Sequence, residues 1–175
     1  YVHYRPEMET ALILRDVLRL PLETPYADLP AWLDRYLGRL AARGRVHLAV
    51  DAGGVGVPVV ELLERARLPA QLQPIVITGG QAVGHLPHAT TVPREMLLHN
   101  IRITLETDGL RIPAGLPLLS ELKKELRALG EPSRRTPDDM AFALALALWS
   151  ARPRTIIGER SESLPIHLGG PKPLR

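Results

Sequence analysis

Apolar and polar positions change period several times along this chain, and each change marks an element. From Asp28 to Ala42, Leu29, Trp32, Leu33, Tyr36, Leu37 and Leu40 recur at helical spacing and predict an amphipathic helix closed by Arg43 and Gly44. Before it, Ala11–Leu20 is β-rich and partly alternating, so it reads as a strand that Pro21, Thr24, Pro25 and Tyr26 turn. Arg45–Val50 is a short apolar run ending in Asp51, the pattern of a buried strand, and the Gly53–Gly54–Val55–Gly56 turn follows at once. A helix is expected over Pro58–Arg67 and a strand over Leu72–Thr78. Gly79–Thr91 is rich in Gly, His and Pro and reads as an exposed loop or flap.

Pro93 opens a helix through Leu105, and Asp108–Gly109 turns the chain into a short strand, Leu110–Ile112. A charged amphipathic helix spans Leu118–Leu129, between Pro117 and Gly130. After a polar linker, Glu131–Thr136, the last helix runs from Pro137 to Ser150. Its MAFALALALW segment is apolar almost all round, so it must be buried. Helices alternating with strands predict an α/β fold, a mixed sheet flanked by helices. Residues 1–153 are expected to form this domain and 154–175, rich in Pro, Gly and Arg, a flexible tail. The opening strand has no crossover partner upstream, and a chain opening on Tyr is expected to be a fragment.

Composition narrows the function classes. Apolar residues make up 45% and aromatics only 4%, so the core must be aliphatic. No run reaches the roughly 18 uncharged apolar residues of a membrane helix, and no apolar leader is visible, so a soluble, cytoplasmic protein is expected. With no cysteine, thiolate metal sites and cysteine nucleophiles are excluded. The net charge of +3 permits a polyanionic partner without demanding one. Of the 22 basic residues, 19 are Arg; codon usage explains much of that, although Arg also suits phosphate geometry.

Two acidic features carry chemistry. Asp51 ends a buried strand, where α/β sheets place their ligands, although Asp before Gly is also ordinary turn chemistry. Asp138 and Asp139 open the apolar helix, where capping accounts for at least one of them. Taken together they suit hard ions, since Mg²⁺ and Mn²⁺ prefer carboxylate oxygens. The Gly-rich turn is not a nucleotide loop: no Gly-Lys pair exists, and a G-x-G-x-x-G pattern fails at Val59.

In order, VLRLPLETPY, LAVDAGGVGVPVVELL, PIVITGG, VPREMLLHNIRITLETDGLRIP and PDDMAFALALALW resemble the nuclease domain of bacteriophage terminase large subunits over Leu14–Ser150. The D-x-G-G-V-G turn and the D-D-x-x-x-A-L-A-L-A helix are its strongest parts. The resemblance implies an RNase H-like fold and an endonuclease that cuts concatemeric viral DNA during packaging, using Mg²⁺ or Mn²⁺, two ions in all. It implies that Asp51 is the second catalytic carboxylate and that Asp139, or its neighbour Asp138, is the third. Partners implied are double-stranded DNA, an ATPase motor domain, a small terminase subunit and the portal. The family's first catalytic Asp would lie before Tyr1; Asp16 is the substitute weighed, with a solvated strand position the preferred reading. Pro137 stands where the family often has His.

Arg94, Arg102, Arg111, Arg134 and Arg135 are candidates for holding DNA phosphates, each weighed against a merely solvated surface. His85 and His88 fall in the flap, His47 reads as a core or sheet residue, Lys123 and Lys124 as a wet helix face, and Trp32 and Trp149 as packing residues. Two alternatives remain open: a non-catalytic DNA-binding or packaging-assembly module of the same fold, and another RNase H-like enzyme such as a Holliday-junction resolvase.

Overall fold

A computed structural model describes residues 2–3, 12–54, 56–129 and 137–151. The strands are β1 (Val2–His3), β2 (Leu12–Leu14), β3 (His47–Asp51), β4 (Gln71–Thr78), β5 (Gly84–Leu86), β6 (Ala89–Pro93) and β7 (Leu110–Arg111). The helices are α1 (Leu29–Ala41), α2 (Gly56–Ala66), α3 (Arg94–Glu106), α4 (Leu119–Ala128) and α5 (Asp139–Ala151). The chain is therefore mixed α/β. None of the described helices is long and apolar enough to cross a membrane.

The larger sheet has the order β3-β4-β6-β5. β3, β4 and β6 are parallel, and β5 returns antiparallel on β6. Parallel neighbours need a crossover, and α2 supplies the one between β3 and β4. Pro74 lacks an N–H, yet it sits inside the central strand β4. It is accommodated because β6 begins to pair with β4 one residue later, at Ile75↔Thr90.

The period of two along a strand decides which residues meet which helix. The register sets Ala49 opposite Gln73 and Asp51 opposite Ile75. Gln73 bonds Ser150 of α5, while Ala49, Ile75 and Ile77 pack into the cluster that α5 dominates. Leu48 and Leu72, of the opposite parity, line a cavity with Leu63 of α2. Asp51 thus shares its face of the sheet with α5. That helix buries Met140, Ala141, Leu144, Ala145, Leu146 and Leu148, joined by Leu97 and Ile101 of α3 and Leu122 of α4.

Two expectations need correction. The opening strand is only Leu12–Leu14: beyond it Asp16 and Arg19 are bonded by side chains to other elements, and no ladder continues. Upstream of it β1 pairs antiparallel, a pairing that needs no crossover, and with β7 these strands form a second sheet, β1-β2-β7, beside the larger mixed sheet. The flap Gly79–Thr91 is largely the β5–β6 hairpin, turned at Pro87–His88. Its β-branched Thr90, Thr91 and Val92 find an open edge on β4. The linker 131–136 and the tail 154–175 lie outside the described residues.

Candidate metal centre

The turn after β3 is built around the Asp51 side chain. Its Oδ1 accepts the Gly53 N–H at 2.8 Å, and the Gly56 N–H donates to the Gly53 carbonyl at 2.9 Å. Gly54 takes φ +52°, where a side chain is strained. A Cβ on Gly56 would overlap the carbonyl oxygen of Asp51, so only glycine lets α2 start this close to the strand end. Gly56→Ala is expected to cost about 1–2 kcal/mol, since overpacking outweighs the gain in helix propensity. Urea unfolding checks this; a variant as stable as the parent would mean the turn yields freely.

Asp138 and Asp139 come to the same place from the far end of the chain. A cleft of about 620 Å³ is lined by Asp51, Asp138, Asp139 and Arg94, with Ala49, Ile77, Phe142 and Leu146 among its apolar lining. The structure thus brings all three proposed carboxylates around one cavity. The Asp138 carbonyl accepts the first helical bond of α5, from Phe142 at 2.9 Å, which makes Asp138 the residue at the cap position. A capping side chain would normally take the next free N–H groups, those of Met140 and Ala141. Here Glu125 of α4 takes both, Oε2 accepting at 2.7 and 3.0 Å. Its Oε1 accepts from Arg19 at 2.9 Å. Glu125 therefore caps α5 from another helix, and the two aspartates are turned outward. Asp138 Oδ2 bonds Arg94 at 3.1 Å, and Asp139 Oδ2 lies 3.8 Å from Arg19.

No family model, curated protein or solved structure matches the chain.

The reading of this cleft therefore rests on its own chemistry. Three carboxylates form an all-oxygen set of the kind hard divalent ions take, and Asp51 accepts from the described residues of its turn through Oδ1 alone, so in chemical type the lining suits Mg²⁺ or Mn²⁺. Among the described residues no three Asp, Glu or His side chains are drawn together at metal-holding distance.

The other predicted residues fall elsewhere. Arg94 stands in the cleft itself, with its guanidinium carbon 4.5 Å over the centre of the Phe142 ring. Arg102 and Arg111 are exposed on α3 and β7. Arg134 and Arg135 lie outside the described residues. Asp16 accepts from Tyr36 at 2.9 Å and is not part of the cleft lining. His85 and His88 are exposed on the hairpin; His47, exposed on β3, shares a 3.0 Å bond with Gln73, which fits a sheet residue. Lys123 and Lys124 are exposed, Trp32 stacks on Tyr36, and Trp149 packs against the core.

Sequence reasoning missed Glu125 and Arg19. The signal for Glu125 was its position: it lies three residues after Leu122 and four before Leu129, on the apolar side of α4. A carboxylate only 4% exposed on such a face needs donors from a neighbour.

Proposed function

We propose that this chain is a metal-dependent DNA endonuclease domain with an RNase H-like fold, of the kind found in phage terminase large subunits. It would cut concatemeric DNA during genome packaging. The observation that carries the reading is the meeting of Asp51, Asp138 and Asp139 on one cleft, with helix capping transferred to Glu125. These residues would hold one or two Mg²⁺ or Mn²⁺ ions, which when bound supply an activated water and charge that stabilises the leaving oxygen. Asp51 presents its carboxylate from a strand end whose turn is locked by Gly53 and Gly56. Arg94, Arg102 and Arg111 are proposed to meet the phosphates of double-stranded DNA. An ATPase motor, a small terminase subunit and a portal are the proposed partners in a host cytoplasm.

The ion pair inside the cleft favours a second reading, a DNA-binding or assembly module that does not cut. Supercoiled-plasmid nicking with Mn²⁺, Mg²⁺ or EDTA separates the two, comparing the parent with Asp51→Ala and Asp139→Ala. Metal-dependent nicking lost in both variants is expected. DNA binding without nicking under any metal would leave the second reading standing.

A further inference from the structure

We infer that Arg94 is an internal counter-ion of the acidic cleft: a divalent cation must displace it from Asp138, and the freed guanidinium then holds a DNA phosphate. The inference rests on the metal-dependent reading above and adds a loading step to it.

Arg94 is the first residue of α3 and follows buried Pro93, the last residue of β6. Its backbone is therefore anchored at the junction of the sheet and a core helix, while its side chain reaches over the cleft. Two contacts hold the guanidinium there: Nη2 donates to Asp138 Oδ2 at 3.1 Å, and Cζ lies 4.5 Å above the Phe142 ring. Asp138 and Phe142 are four residues apart at the start of α5, so they lie on one face and Arg94 spans both. Arg94 is the sole basic residue among the described residues that line the cleft.

The contacts are strong enough to place the group and weak enough to exchange. Side-chain exposure is 42% for Arg94 and 46% for Asp138, so solvent reaches both partners and screens the pair. A divalent ion carries twice the charge of the guanidinium and competes for the same carboxylate oxygens. Once released, the guanidinium keeps its ring platform and its fork of donors, which matches a phosphate. Loading of the ion and capture of the DNA backbone are then coupled through one side chain.

Isothermal titration of the full chain with MnCl₂ tests this, together with fluorescence anisotropy on a short duplex at saturating Ca²⁺. In Arg94→Gln, Mn²⁺ should bind about fivefold tighter, the scale for removing one screened charge beside an acidic site. Duplex binding by the same variant should weaken, with a salt slope shallower by about one. The opposite signs matter, because general damage to the fold would weaken both. Mn²⁺ binding by the parent that is lost in Asp51→Asn but equal or weaker in Arg94→Gln overturns the role of Arg94 and leaves the metal reading intact. Absence of Mn²⁺ binding by the parent overturns both.

Discussion

Glu125→Ala is expected to lower the unfolding free energy by about 3 kcal/mol, the scale of orphaning buried donors from a charged acceptor. The Glu125 carboxylate is buried and holds the N–H groups of Met140 and Ala141, residues that are themselves buried. Removing it strands both donors at the start of the helix on which the core is built. It also removes the negative charge that the N-terminal end of α5 favours. Arg19 is nearly half exposed and returns to water at little cost, so the loss is mainly one of capping. Glu125→Gln keeps an acceptor oxygen without the charge and should lose only about 1–2 kcal/mol. Urea unfolding with an unchanged m-value is the measurement. An alanine variant within about 0.5 kcal/mol of the parent would mean that α5 finds another cap.

Asp51→Asn should reduce metal-dependent cleavage roughly 100-fold, the scale of losing one group that stabilises developing charge in the transition state. Asparagine keeps the shape and the Oδ1 that accepts from Gly53, so the turn should persist. What disappears is the negative charge at the end of β3. Stability should therefore stay within about 0.5 kcal/mol of the parent, since an exposed isosteric change touches no packing. Activity and stability thus separate in this variant, whereas Glu125→Ala is expected to change stability first. An Asn variant that nicks plasmid at the parental rate would remove Asp51 from the chemistry.

The helices were legible to within about two residues at nearly every end, because their apolar positions carry a strong period. α1 and α4 show it as a stripe, and α5 as near-continuous burial. β3 and β4 were legible as apolar runs between turn residues. The β5–β6 hairpin was not. Gly79, Gly80, Gly84 and Pro87 dominate its composition, and the strand character of Thr90–Val92 is realised only by pairing with β4. Leu18 shows the opposite error, a periodic-looking residue that is 49% exposed in a segment without strand partners.

The residue types of the site belong to the sequence alone. Carboxylates at Asp51, Asp138 and Asp139, the absence of cysteine and the glycines at 53, 54 and 56 restrict the available chemistry to oxygen donors and a tight strand-end turn. So does the period that makes α5 a core helix, since burial follows from composition over a few turns. Tertiary structure decided which groups meet. The parity of β3 turns Asp51 toward α5, and the docking of α3 lays Arg94 on Asp138. Packing of α4 against α5 transfers the capping role to Glu125. The physical reason is range: period and turn chemistry act within a few residues, while these contacts join residues remote in sequence and arise only when separate elements bury their apolar faces together.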